Sequence, residues 1–195
     1  PNGWIERRVT EDETDVFLFY SGHGAPAADE SAYLIPQDAD ADYAANTGVS
    51  LDAIYTSLSA LKAKHVTVFI DSCFSGGGRV IEDQPETMLL ADARPILWEA
   101  TGLSGRPGMT MMTASSGAQV SSAHTPLKHG LFTYHLLMGL QGDADTNPKD
   151  GRVTEQELGD YLEAEVPDAA LDSLDRVQEP TVRLAQPGRV LAEYR

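Results

Sequence analysis

Short apolar runs alternate with an amphipathic stretch in the first half of the chain. Residues 15–20 form a nearly continuous apolar run that predicts a fully buried strand, and residues 66–70 predict a second one. Between them, apolar residues at helical spacing predict a helix over 51–63, with Ser50 as its N-cap. A strand, a helix and a strand in this order form a βαβ unit, so the two strands should be parallel.

The remaining sequence predicts further elements of the same class. These are strands at 33–35, 109–114 and 180–184 and helices at 131–140 and 154–165. Thr154 and Glu157 have the spacing of a capping box at the start of the last helix. Residues 75–108 are rich in Gly and Pro, and they predict a long loop with one helical piece near 89–100. The pattern as a whole predicts a single α/β domain over 1–195.

Composition and charge narrow the class of partner. The chain has 195 residues, of which 42% are hydrophobic and 23% charged, as in ordinary globular domains. A net charge of −16 repels phosphates, so we expect no nucleic acid partner. The same charge favours basic peptides or calcium, although solubility alone also explains it. No signal peptide is visible and no apolar stretch reaches the roughly 20 residues of a membrane-spanning helix. We therefore expect no membrane partner and favour a cytoplasmic location.

Two glycine-flanked polar segments follow the first two long strands. They read YSGHG at 20–24 and DSCFSG at 71–76, and they contain His23 and the chain's one cysteine, Cys73. Ligands bind at the carboxyl ends of strands in an open parallel sheet, so neighbouring strands would bring these side chains together. A lone cysteine forms no internal disulfide, and it is either a buried small hydrophobe or a reactive thiol.

A cysteine and a histidine at one sheet edge suit nucleophilic catalysis. The imidazole of His23 can take the proton of the Cys73 thiol, and the thiolate is the nucleophile. Backbone N–H groups of Gly24 and Cys73 are candidates for an oxyanion hole, since glycine lets the chain approach closely. Taken singly, His23 is also explained as a loop residue and Cys73 as inert core. Their joint position at two strand ends favours catalysis.

The two segments resemble the catalytic motifs of the caspase and metacaspase clan of cysteine peptidases. Positions 23 and 73 differ by 50, and the caspase signature has its His about 50 residues before the Cys. The segments GLFT at 130–133 and QEP at 178–180 also resemble bacterial metacaspase-like members. The resemblance implies a three-layer α/β fold, with helices on both faces of a mostly parallel central sheet, and Cys-His endopeptidase activity.

One departure from animal caspases implies a different specificity. Asp71 stands where animal caspases have Gln, and side chains two apart in a strand share a face, so Asp71 lies on the Cys73 side. By the same spacing Ser21 shares a face with His23, and the resemblance implies that Ser21 and Asp71 both help to bind the substrate side chain before the cleaved bond. A carboxylate there favours substrates with Arg or Lys before the cleaved bond, the metacaspase-like choice, and disfavours Asp. The alternative is that Asp71 stabilises a turn or caps a helix. Ser115 resembles the stretch that pairs with the substrate backbone.

The resemblance also bears on the ends of the domain and on self-cleavage. The family has a first strand and helix before the segment that begins at Pro1, so we expect this domain to be N-terminally incomplete. A peptidase that cuts after arginine has candidate self-cleavage sites in the loop 75–108. They are Arg79, Arg94 and Arg106, which ordinary exposed arginines explain equally well.

An acidic loop before the last predicted helix is a candidate calcium site around Gly151. Its candidate oxygen ligands are Asp143, Asp145, Asn147, Asp150 and Glu157. The second half of the loop has EF-hand spacing, whereas the first half carries about two extra residues. A solvated loop with a capping box explains the same residues. Metacaspase-like enzymes often use calcium at another acidic site, for which Asp38 and Glu82 are the candidates. The peptidase chemistry itself requires no cofactor.

Three hypotheses follow for the function. The first is an endopeptidase that cleaves protein or peptide substrates after Arg or Lys through His23 and Cys73. The second is a non-catalytic caspase-like domain that regulates or binds partners, and retention of both residues favours the first. The third is a calcium-binding module resting on residues 143–157, which leaves the two strand ends unexplained. The oligomeric state is not determined by the sequence.

Overall fold

A computed structural model describes residues 3–26, 31–72, 74, 80–81, 108–114, 122–124, 129–146, 148–175 and 177–194. Its strands are β1 Asp15–Ser21, β2 His23–Pro26, β3 Ala32–Ile35, β4 Val49–Ser50, β5 His65–Asp71, β6 Val80–Ile81, β7 Met109–Thr113, β8 Ser122–His124, β9 His129–Gly130, β10 Arg152–Thr154, β11 Thr181–Arg183 and β12 Val190–Glu193. Its helices are α1 Ala44–Thr47, α2 Leu51–Ser59, α3 Leu131–Met138 and α4 Glu155–Leu174.

The main sheet is mostly parallel. Its strand order is β1-β5-β7-β11, in which β1, β5 and β7 are parallel and β11 runs antiparallel to β7. Helix α2 lies between β1 and β5 in the chain, so the predicted βαβ unit is confirmed. The predicted N-cap is confirmed as well, because the Ser50 hydroxyl accepts a hydrogen bond from the Ala53 N–H. The chain is a mixed α/β protein, as the pattern indicates.

Two hydrophobic clusters lie on opposite faces of the main sheet. Alternation along β5 sends Val68 and Ile70 to one cluster and Phe69 to the other. Helix α2 contributes to the first cluster through Leu51, Tyr55 and Leu58. Helices α3 and α4 contribute to the second, where they pack near Met112 of β7. Helices therefore cover both faces of the central strands.

The prediction that the first strand is fully buried is wrong. Phe17 and Phe19 of β1 are each 54% exposed, although Val16 is buried. In the described sheet β1 is the edge strand, and the cluster that contains α3 and α4 reaches β5 and β7 but includes no residue of β1. Among the described residues, α3 and α4 therefore leave β1 uncovered on the face where they cover β5 and β7.

The last long helix extends well beyond its predicted end at residue 165. Helix α4 continues to Leu174 and passes through Pro167. A proline inside a helix removes one backbone N–H, which normally ends the helix. Here Val166 and Ala170 on either side are fully buried, Val166 within the second cluster, and their burial favours the extra turns. The helix predicted over 51–63 is shorter than predicted, because α2 ends at Ser59.

A buried ion pair stands near the amino ends of β5 and β7. Glu155 is 1% exposed, and its carboxylate accepts hydrogen bonds from Arg189 Nε at 2.6 Å and from Thr110 Oγ1 at 2.6 Å. The same arginine donates to the hydroxyl of Thr67, so the pair ties both strands to the start of α4. The sequence analysis did not predict this pair.

Three smaller sheets complete the described structure. They are β2-β3-β4, β6-β8-β9 and the pair β10-β12. The strand β12 was not predicted, and most of the predicted loop 75–108 lies outside the described residues. Among the described residues, no helix is both long enough and apolar enough to span a membrane.

Candidate active site

The carboxyl ends of β1 and β5 lie side by side. The parallel register runs from Asp15 opposite His65 to Ser21 opposite Asp71. The Gly22 N–H donates to the Asp71 carbonyl oxygen at 3.1 Å, and this bond completes the last pair of the register, Ser21 with Asp71. The two polar segments singled out in the sequence are therefore neighbours at one edge of the sheet.

His23 begins β2 directly after this junction, and its side chain is exposed. In β2, His23 pairs with Ile35 and Gly24 pairs with Leu34 of β3. Gly24 is buried. Cys73 and Ser115 lie outside the described residues. The dyad and the oxyanion hole therefore stay predictions.

Tyr20 supports the turn that carries His23, a role that the sequence analysis missed. Its hydroxyl donates to the carbonyl oxygen of His23 at 2.8 Å and lies 3.2 Å from the carbonyl oxygen of Ile35. The ring also explains Gly22, because a Cβ at that position would lie 2.7 Å from the Tyr20 oxygen. The hydroxyl thus links the end of β1 to the hairpin β2-β3, and only glycine leaves room for it.

Asp71 is fully buried at the end of β5 and contacts the first turn of α3. Its Oδ2 accepts hydrogen bonds from the Thr133 hydroxyl at 2.5 Å and from the Thr133 N–H at 3.3 Å. Since the N-cap residue Gly130 has no side chain, the carboxylate supplies the acceptor that this helix start needs. This contact fits the capping alternative for Asp71, and the substrate-binding role of Asp71 and of the exposed Ser21 stays a prediction.

Gln178 fixes the chain where β7 ends, which is a second contact that spacing alone does not reveal. It is fully buried, and its Nε2 donates to the carbonyl oxygen of Ala114 at 3.0 Å. The Ala114 N–H donates in turn to the carbonyl oxygen of Ile70 at 2.8 Å. The chain that leads into Ser115 is thus held against the end of β5. The sequence analysis singled out the QEP segment but not the contact that its glutamine makes.

The acidic loop at 143–151 is closed by internal hydrogen bonds. Asp145 is 2% exposed, and its carboxylate accepts from the Tyr194 hydroxyl at 2.5 Å, the Gly151 N–H at 2.8 Å and the Asp150 N–H at 3.2 Å. The bond from Tyr194 is the main cause that lowers the pKa of Asp145 below its ordinary value. The same bond raises the pKa of Tyr194 to about 12.

The capping box predicted at the start of α4 is confirmed. The Glu157 carboxylate accepts from the Thr154 N–H at 2.9 Å, and the Thr154 hydroxyl accepts from the Glu157 N–H at 3.2 Å. Glu157 and Asp145 thus both have donors within the chain. Among the described residues, no group of three or more His, Cys, Asp or Glu side chains is arranged to hold a metal ion. Asn147 and Glu82 lie outside those residues, so calcium binding stays a prediction.

A buried histidine lies on α3, beside Tyr161 of α4. His135 is 9% exposed, and its Nδ1 lies 3.5 Å from the Tyr161 hydroxyl oxygen. Burial lowers the pKa of His135, and the charges of Glu165 and Asp143 oppose this only in part. Burial is also the main cause that raises the pKa of Tyr161 to about 12. The fold therefore favours the neutral form of both side chains.

Comparison with known proteins identifies a matching protein family. A family model described as the caspase domain matches residues 4–180 of the chain. The match spans both strand ends, α3 and the QEP segment. A comparison with curated proteins finds no match.

Proposed function

The chain belongs to the caspase domain family, whose members are generally cysteine peptidases that act on proteins, and on this premise we propose that it is an endopeptidase working through His23 and Cys73. The observation that carries the proposal is the parallel β1–β5 register, which ends with Ser21 opposite Asp71 and with the hydrogen bond from the Gly22 N–H to the Asp71 carbonyl oxygen. It supports the dyad because His23 lies two residues after Ser21 and Cys73 lies two residues after Asp71.

The proposed reaction proceeds in two stages. The His23 imidazole takes the thiol proton of Cys73, and the thiolate attacks the carbonyl carbon of the peptide bond. Backbone N–H groups of Gly24 and Cys73 stabilise the oxyanion, the carbon–nitrogen bond breaks, and the imidazolium gives its proton to the leaving amine. A water molecule, deprotonated by His23, then attacks the thioester. The products are a free carboxylic acid and the restored thiol.

We propose the metacaspase-like preference for Arg or Lys before the cleaved bond. The negative charge of Asp71 supports it, since its carboxylate lies at the end of the strand that leads to Cys73. A buried carboxylate attracts a guanidinium or ammonium group more strongly than an exposed one does, because water screens it less. The bonds from Thr133 hold that carboxylate in one position, which suits recognition of a cation.

Fluorogenic peptides ending in Arg, Lys or Asp test the activity and its preference, with and without calcium. We expect hydrolysis of the Arg and Lys peptides, no hydrolysis in Cys73→Ala, and a loss of about 100-fold or more in His23→Ala. His65→Gln is the matched control, because His65 lies at the other end of β5. Hydrolysis of the Asp peptide alone would overturn the preference. Full activity in Cys73→Ala would overturn the nucleophile.

The non-catalytic alternative predicts no turnover of any peptide together with a correctly folded chain. A thiol reagent separates it further, because an activated thiol is alkylated much faster near neutral pH than an ordinary one. Calorimetric titration of calcium into the wild type and into Asp150→Asn and Asp38→Asn tests the two predicted calcium sites. Unchanged binding in a variant removes the site that contains the substituted residue.

A further inference from the structure

A cavity of about 610 Å³ has His23 in its wall. Its other described lining residues lie between positions 35 and 42, from the end of β3 to the turn that precedes α1. The volume falls within the range of about 300–1,000 Å³ that is usual for ligand pockets. The cavity therefore has room for one or two side chains of a bound peptide.

The order of strands indicates which part of a substrate reaches this cavity. The imidazole that protonates the leaving amine must lie within hydrogen-bond reach of it, so the substrate residues after the cleaved bond lie beside His23. In the sheet, β1 and β7 lie on opposite sides of β5. The segment at Ser115, predicted to pair with the substrate backbone, follows β7. A substrate therefore crosses the sheet edge from β7 toward β1, with its later residues at the cavity.

The charge of the cavity wall is negative. Apart from His23, the charged side chains among its described lining residues are Asp40 and Asp42. Thr47 fixes this part of the wall, because its hydroxyl accepts from the Asp40 N–H and donates to the Asp40 carbonyl oxygen, both at 2.9 Å. The Asp40 carboxylate accepts in turn from the Asp42 N–H at 3.0 Å. Both acids are thus carried by a chain segment with a fixed shape.

We propose that this cavity binds the substrate residues that follow the cleaved bond and selects Lys or Arg among them. The inference rests on the proposed peptidase function and extends it from the residue before the bond to those after it. Because both carboxylates are exposed to solvent, each contributes modestly to recognition. We expect about a two- to fivefold effect on kcat/KM for each carboxylate.

Internally quenched peptides test the proposal directly. All carry Arg before the cleaved bond, and they differ in having Lys, Met or Glu at the first or second position after it. The wild type should cleave the Lys peptide with the highest kcat/KM and the Glu peptide with the lowest. In Asp42→Asn, and more so in the double variant with Asp40→Asn, the Lys-to-Met ratio should fall by about two- to fivefold per substitution. Asparagine at position 40 keeps the acceptor for the Asp42 N–H.

Asp172→Asn is the matched control, because it removes the same charge from an exposed position of α4 that does not line the cavity. It should leave the Lys-to-Met ratio unchanged. Equal kcat/KM for the Lys, Met and Glu peptides in the wild type, or an unchanged ratio in the double variant, overturns the inference. Turnover of an Arg peptide with a small fluorescent leaving group then shows that the peptidase function itself stands. Without turnover of any peptide, both proposals fail.

Discussion

The hydrogen bond from the Thr133 hydroxyl to the Asp71 carboxylate makes a contribution to stability that a single substitution can measure. Thr133→Val keeps the size and branching of the side chain and removes only the hydroxyl. Thr133 is 7% exposed and Asp71 is fully buried, so water cannot take over the lost bond. A hydrogen bond to a charged group contributes about 1.5–3 kcal/mol. The Thr133 N–H, at 3.3 Å from the carboxylate, remains after the substitution.

We expect Thr133→Val to lower the free energy of unfolding by about 1.5–3 kcal/mol. In urea, with a slope near 2 kcal/mol per molar, this shifts the midpoint by about 1 M at constant slope. Circular dichroism and intrinsic fluorescence should report the same midpoint. Thr133→Ser is the control, since it keeps the hydroxyl and loses only a methyl group worth about 1 kcal/mol.

A double-mutant cycle with Asp71→Ala isolates the bond from other effects of the two substitutions. If the hydroxyl and the carboxylate interact as the structure shows, their combined effect should differ from the sum by about 0.5–3 kcal/mol. Additive effects, or a Thr133→Val variant within about 0.5 kcal/mol of wild type, would refute the reasoning.

Asp71→Asn separates the two roles considered for this residue. Asparagine still offers an oxygen to Thr133, so the cap is retained while the negative charge is lost. If the charge binds the substrate, KM for Arg peptides rises while the free energy of unfolding changes little. If Asp71 serves only as a cap, the kinetic constants for Arg peptides stay at their wild-type values.

Three further predictions concern the rest of the fold. Glu155→Gln leaves Arg189 without its counter-charge in a buried position. Urea titrations should show that the free energy of unfolding falls by about 3–5 kcal/mol, and a loss below about 1 kcal/mol would contradict the buried pair. Gly22→Ala places a Cβ 2.7 Å from the Tyr20 oxygen, so it should cost about 1–3 kcal/mol and lower peptidase turnover; wild-type values of both would exclude that contact. Because burial lowers the pKa of His135 from 6.5, protonation favours the unfolded chain, and stability should fall as the pH drops below about 6.5. Urea midpoints measured across that pH should fall less in His135→Gln, and an equal fall would reject the assignment.

The neighbouring position of the two candidate segments was predictable because its signals are local. The glycine-flanked segments around His23 and Cys73 follow apolar runs, and a few consecutive residues are enough to predict each run as a strand. Neighbouring parallel strands bring their carboxyl ends to one edge, and the structure confirms that arrangement for β1 and β5. The contacts that set the side chains in place were not predictable, since Tyr20 reaches Ile35 and Gln178 reaches Ala114 across long stretches of chain.

The sequence by itself determined the elements that depend on neighbours within one or two turns. The N-cap at Ser50 and the capping box at Thr154 are such features, because donor and acceptor lie three residues apart. Only the tertiary structure decided which faces are covered and which polar groups meet. Phe19 is apolar yet exposed because β1 is an edge strand in the described sheet, and Asp71 meets Thr133 from 62 residues away. Burial and long-range hydrogen bonding depend on how the helices pack over the sheet, and residue spacing does not encode that packing.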